Sequence, residues 1–107
     1  MTSGSFRVFG MKKDLENILT IKINGKEVQS RPFNFADYAD MQDKHLRGYS
    51  GACKLCYDVL IRMFKGTAAN KEYIDTMSIA EKDMLCRKLL DIYLNTISEV
   101  NELIKNQ

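Results

Sequence analysis

The sequence has no long apolar run, almost no net charge and few of the residues that common catalytic sites need. A bilayer-spanning helix takes roughly 20 consecutive apolar residues, and no run in this chain approaches that length. The first ten residues lack a long apolar stretch and a small-residue cleavage site, so we expect no secretory signal. Three cysteines, an odd number, do not form a disulfide framework and suit a reducing compartment. These absences predict a cytoplasmic protein without membrane contact.

The charges of the chain nearly cancel. Sixteen Lys and Arg residues stand against 14 Asp and Glu residues, which leaves a formal net charge of +2. Nucleic-acid-binding proteins usually carry a marked basic excess on one surface, whereas the densest basic cluster here is the pair Lys12 and Lys13. We therefore do not expect a nucleic acid as partner. A small DNA-binding or regulatory module remains an alternative interpretation.

The residues that could serve catalysis are isolated. His45 is the single histidine, and it has no second histidine or Ser/Cys partner at a readable spacing that would make it a general base. Its position near the end of a predicted helix is explained by the helix dipole, which favours a cation there. The glycines form no phosphate-binding pattern. We expect neither enzyme activity nor a cofactor.

Cys53 and Cys56 form a C-x-x-C pattern at the start of a predicted helix. In redox proteins this pattern follows a strand of a βαβ unit, and no such unit precedes it here. Adding Cys86 and His45 would complete a Cys₃His zinc set, but the second half of a zinc module is missing. We favour a packing role, with Cys56 in the core and Cys53 and Cys86 semi-buried. A Cys-based metal-binding protein remains an alternative.

A β-hairpin is predicted over about residues 18–31. Residues 18–23 are rich in β-branched side chains, and Asn24-Gly25 is a strong signal for a type I′ turn. The return strand is polar except for Val28, and Pro32 ends it, as is typical of an edge strand. Because a two-stranded hairpin is marginal alone, it must pack on helices or offer its edge to a partner.

Three helices are predicted after the hairpin, over about residues 35–47, 51–65 and 79–104. The polar link 67–76 between the last two has room for a short helical turn. The predicted fold class is therefore α+β, mostly α, with an N-terminal hairpin packed on three helices. The 107 residues form one domain, 1–107. Residues 1–17 are interpreted as a flexible lead-in. Within it, a docking strand over residues 1–10 and a loose helical turn over residues 11–17 remain alternatives.

The last predicted helix carries an apolar stripe along its whole length, about 39 Å at 1.5 Å per residue. Two short helices cannot cover a stripe this long, so we expect part of it to meet another subunit. Self-association is the expected result. The candidate interaction residues are Leu90, Leu94, Ile97, Val100, Leu103 and Ile104 on this helix, and Val28 on the hairpin.

Two residue sets surround the start of the first predicted helix. The first comprises carboxylates spaced by three residues, which is typical of a solvated helix face: Asp37, Asp40 and Asp43. The second comprises aromatic residues, which we expect to join the hairpin to the helical layer: Phe33, Phe35 and Tyr38.

The order of these elements resembles that of the tail assembly chaperones of long-tailed bacteriophages and related prophages. In that family a hairpin of the form I-x-I-N-G-K-x leads into an F-x-F helix start, and a helix with an L-x-x-G-like end follows. The corresponding segments here are residues 21–26, 33–35 and 60–66, so the resemblance spans 18–66, about half of the chain.

The resemblance implies a non-enzymatic role in the cytoplasm of a bacterial host. A protein of this family would bind the phage tape-measure protein and tail-tube subunits through apolar helix faces and the hairpin edge. It would thereby keep a long helical client from aggregating during virion assembly. Four methionines are compatible with such a role, because Met-rich surfaces adapt to varied partners: Met41, Met63, Met77 and Met84. A position in the core is the default expectation for each of them.

Overall fold

The computed structural model describes residues 17–45 and 52–107. Within these ranges an antiparallel hairpin precedes four helices. The strands are β1 (Thr20–Ile23) and β2 (Lys26–Gln29), and the helices are α1 (Phe35–His45), α2 (Ala52–Met63), α3 (Lys71–Thr76) and α4 (Ile79–Lys105). The predicted class, α+β and mostly α with the hairpin ahead of the helices, is confirmed.

The predicted boundaries differ from the observed ones at several ends. Residues 46–47 of the first predicted helix and residue 51 of the second lie outside the described residues, as does the predicted lead-in except for Asn17. Helix α2 ends at Met63, two residues early, because the chain turns at 64–66 and Gly66 adopts a positive φ of 83°. The link 67–76 contains α3, a helix of six residues.

The hairpin forms around the predicted turn. Asn24 and Gly25 both have positive φ, 52° and 79°, as a type I′ turn requires. Val28 pairs with Ile21, whose side chain is buried, while Lys22 pairs with Glu27 on the outer face. One face of the hairpin therefore packs inward, and the other is polar.

The hairpin is joined to the end of α2 by main-chain and side-chain bonds. Ser30 accepts a hydrogen bond from the Leu19 amide at 2.8 Å and donates one to the Arg31 carbonyl. The amide of Arg31, which follows β2, donates a hydrogen bond at 3.0 Å to the carbonyl of Met63, the last residue of α2. These bonds keep buried polar groups satisfied at the junction of hairpin and helices.

A single apolar core lies between the hairpin and the helices. Its fully buried side chains come mainly from α2 and α4, whose apolar residues repeat at helical spacing. Leu19 and Ile21 contribute from the hairpin region, and Met41 contributes from α1. The largest of the fully buried apolar side chains are Tyr93, Phe64, Leu60, Met63, Ile74, Leu85, Leu89 and Val59.

Side chains cap the starts of α1 and α4. Ser78 accepts a hydrogen bond from the Glu81 amide at 3.1 Å, and its hydroxyl donates to the Glu81 carboxylate at 3.0 Å. Asn34 accepts from the Asp37 amide at 3.0 Å, and the Asp37 carboxylate accepts from the Asn34 amide at 3.1 Å. Each pair satisfies amides that the first helical turn leaves without an intrahelical partner.

Candidate functional site

Helix α4 extends well beyond the core. Its 27 residues span about 40 Å, and its last buried side chain is Tyr93. The ring of Tyr93 lies 5.7 Å from that of Tyr38, and its hydroxyl donates to the Gln42 side chain, so α1 covers α4 up to this point. Residues 94–105 continue the helix without a buried side chain. We call them the α4 overhang.

The α4 overhang exposes large apolar side chains. Leu94 is 49% exposed, Leu103 is 67% exposed and Ile104 is 68% exposed. Ile97 and Val100 between them are half-buried. Single exposed leucines need no explanation on a protein surface, but apolar residues grouped on one helix face indicate a binding site.

The charged residues of the α4 overhang lie on the opposite face. At 100° per residue, Glu99, Glu102 and Lys105 occupy one sector of the helix. The apolar residues occupy the other half, and only Thr96 and Asn101 interrupt them there. This is the pattern of a helix that packs one side against another helix, although that side projects past the end of its own bundle.

The predicted interaction residues divide into two groups in the structure. Leu94, Leu103 and Ile104 are exposed, and Val100 is half-buried. Leu90, Ile97 and Val28 are partly buried and pack against the core. The side chain of Val28 is directed inward, so what the hairpin offers to a partner is the main chain of β2 and its polar residues.

Comparison with protein-family models, curated proteins and solved structures finds no significant match for this chain.

A second surface feature is an open groove of about 920 Å³ between α2 and the first turns of α4. Cys53 and Cys86 line it together with Lys54, Tyr57 and Lys82. Ile79, at the start of α4, also borders the groove and is 85% exposed. The groove is open to solvent, and its charged lining residues are Lys54, Lys82 and Asp83.

The burial of two of the three cysteines differs from the prediction. Cys56 is buried in the core, as predicted, but Cys53 is exposed rather than semi-buried, and Cys86 is buried at 7% exposure. Burial raises the pKa of the Cys86 thiol to about 12 and also raises the pKa of Cys56. Because the thiolate is the reactive and metal-binding form, burial suppresses both activities at these two residues.

The three cysteines among the candidate metal ligands do not form a metal-binding set in the part of the chain that the structure describes. Among the described residues, no three His, Cys, Asp or Glu side chains are arranged to hold a metal ion. His45 is the last residue of α1, and its side chain lies outside the described residues.

The prediction that the carboxylates of α1 form a solvated face is wrong for Asp37, whose side chain is fully buried. Two nitrogens of Arg31 bind its two oxygens at 2.7 and 3.0 Å, and Arg62 lies 3.4 Å away. Asp40, one turn later, accepts from Arg62 at 2.9 Å, and this bond lowers the pKa of Asp40. The Asp37 cluster (Arg31, Asp37, Arg62) thus connects the hairpin, α1 and α2.

Sequence reasoning missed the Asp37 cluster because the three aspartates have the same spacing. The signal that distinguishes Asp37 is its position three residues after the cap residue Asn34, where a carboxylate can bond back to the cap amide. The prediction for the aromatic residues is also wrong in part. Phe33 is buried, but Phe35 is 79% exposed, with its ring centre 6.3 Å from that of Tyr38.

In the part of the chain that the structure describes, no helix has the length and apolar character required to cross a membrane.

Proposed function

We propose that the protein is a non-enzymatic tail assembly chaperone of the long-tailed-bacteriophage type, which binds the tape-measure protein in the cytoplasm of the bacterial host. The observation that carries the proposal is the α4 overhang, a preformed helix whose apolar face extends beyond the core. The tape-measure protein is proposed as the client because residues 18–66 resemble this family. A long helical client exposes apolar stripes before assembly, and an exposed apolar helix face is the complementary surface.

The hairpin supports a second contact, with tail-tube subunits. The outer edge of β2 presents Lys26, Glu27 and Gln29 with exposed side chains, and the inner face of the hairpin is held on the core. An exposed strand of this kind can pair with a strand of a partner through main-chain hydrogen bonds. Its short length and its charges limit non-specific pairing of the same edge.

The identity of neighbouring genes is the first test of the proposal. We expect a tail-tube gene upstream and a very long tape-measure gene downstream. If the chain is encoded away from any tail genes, the tail assembly proposal is wrong, and an interaction domain of another pathway remains.

The second test measures client binding. The protein carrying an affinity tag is co-expressed with the tape-measure protein, and the soluble, co-purified client is quantified. In the variant Leu103→Lys/Ile104→Lys, two side chains that are about two-thirds exposed can no longer be buried. At about 2 kcal/mol for each fully buried side chain, the loss is about 3 kcal/mol, or roughly a hundredfold in affinity.

The matched control is Ile79→Lys, the same change at an 85% exposed residue on the opposite end of α4. We expect this variant to keep the client soluble as the unmodified protein does. Equal client recovery with the double variant and the control would mean that the α4 overhang does not bind the client.

A further inference from the structure

We infer that the apolar face of the α4 overhang pairs with the same face of a second copy of this chain, forming a weak, two-fold helix pair. Such a pair is isologous, because each copy contributes the same patch. The inference goes beyond the binding of a client and needs no client to be present.

The spacing of the apolar residues along α4 favours a pair of helices. Leu90, Tyr93, Ile97, Val100 and Ile104 are separated alternately by three and four residues, which is the seam of a left-handed helix pair. Within the domain, Tyr93 of this seam packs against α1. Beyond Tyr93 the spacing continues in register, with Ile97 and Ile104 as β-branched residues at equivalent positions. Ile97 still packs partly against the core, whereas Val100 is half-buried and Ile104 is 68% exposed.

The residues beside the apolar seam carry no charge, which favours pairing of two identical copies. In a helix pair, the positions that flank the seam select the partner through complementary charges. In the α4 overhang these positions are Leu94, Thr96, Asn101 and Leu103, none of which is charged. Two copies therefore meet without repulsion between like charges, and the flanks carry no charge code for a different helix. Glu99, Glu102 and Lys105 remain on the far side of the pair.

The accessible surface is small. The five apolar side chains of the α4 overhang are exposed or half-buried: Leu94, Ile97, Val100, Leu103 and Ile104. They offer roughly 400 Å² per copy, hence on the order of 800 Å² for the pair, which is the size of a weak, transient interface. A pair of this size is concentration-dependent and dissociates readily. It covers the surface proposed for the client, so client and second copy would compete; this last consequence alone rests on the proposed function.

The test is sedimentation velocity on the purified protein alone, from low micromolar to the highest soluble concentration. We expect the average mass to rise from one chain towards two. In Leu103→Lys/Ile104→Lys, which changes only exposed side chains, the midpoint concentration should rise by a hundredfold or more. In Ile79→Lys it should not move. Circular dichroism confirms that both variants keep the helical content of the unmodified protein.

Three results would overturn the inference: a single-chain mass at every concentration, an association that the double variant retains, or an association that Ile79→Lys abolishes instead. The last result would assign self-association to the groove at the start of α4. A helix of a different protein as sole partner corresponds to the first result. None of these results bears on whether the tape-measure protein co-purifies, so the two proposals fail separately.

Discussion

Replacing Asp37 by Ala should destabilise the protein far more than the same change at Asp43, six residues along the same helix. Asp37 is fully buried, while Asp43 is exposed. The Asp37 carboxylate accepts hydrogen bonds from Arg31 at 2.7 and 3.0 Å and from the Asn34 amide at 3.1 Å. It thereby links the hairpin to α1 and supports the helix cap.

The magnitude follows from these bonds. Hydrogen bonds to a charged group contribute about 1.5–3 kcal/mol each when sheltered, but the side chains of Arg31 and Arg62 are 35% and 41% exposed. Solvent screening reduces the ion-pair contribution, so we expect about 2 kcal/mol from the arginines. The lost bond to the cap amide adds about 1 kcal/mol. The total loss for Asp37→Ala is about 3 kcal/mol of unfolding free energy.

The assay is thermal and urea unfolding followed by circular dichroism. With an unfolding entropy of about 2.1 cal/mol/K per residue, a loss of 3 kcal/mol in 107 residues lowers Tm by about 13 °C. Asp43→Ala should change the unfolding free energy by less than about 0.5 kcal/mol. If the two variants unfold together, the Asp37 cluster does not stabilise the junction between hairpin and helices.

Two further predictions concern thiols and acid. With an aromatic disulfide reagent at mildly alkaline pH, the exposed Cys53 should react fast, whereas Cys86, whose pKa is about 12, should react only on unfolding. The variant Cys53→Ser should lose the fast phase of the reaction. A fast reaction of Cys86 would contradict its burial. The bond from Arg62 lowers the pKa of Asp40 in the folded state, so its stabilisation is present above the unfolded value of about 3.9 and lost as the pH falls through the folded value. The difference in unfolding free energy between the unmodified protein and Asp40→Asn should therefore shrink below about pH 4, and a difference independent of pH would refute this.

Local signals in the sequence were sufficient for the turn and for the cap of α4. Asn24-Gly25 adopts the positive φ angles that a type I′ turn needs. Ser78 caps α4 by accepting a hydrogen bond from the amide of Glu81, three residues later. In each case the residues that determine the backbone geometry are close together in the chain, so the sequence alone predicts the turn and the cap.

Burial set by distant parts of the chain could not be predicted in the same way. Asp37 and Asp43 have the same residue type and the same helical spacing, but Arg31, which follows β2, and Arg62, from α2, both bind Asp37. Arg62 also binds Asp40, whereas Asp43 is exposed. Likewise, the apolar stripe of α4 is uniform in sequence, but Tyr93 is buried against Tyr38 and Gln42 of α1, whereas Ile104 is exposed. The candidate interaction set was therefore predicted as one group, although the structure divides it.

Because α4 is one continuous helix, its exposed end is already ordered before any partner binds. Starting a helix is unfavourable because several residues must be ordered before the first hydrogen bond forms, whereas adding a residue to an existing helix is nearly neutral. The buried part of α4, from Leu85 to Tyr93, has already met this nucleation cost on folding. A partner that reaches Val100 and Ile104 therefore encounters a helix that need not be ordered on contact, which lowers the entropic cost of association. The core, through one unbroken helix, thus preorganises a surface that extends beyond it.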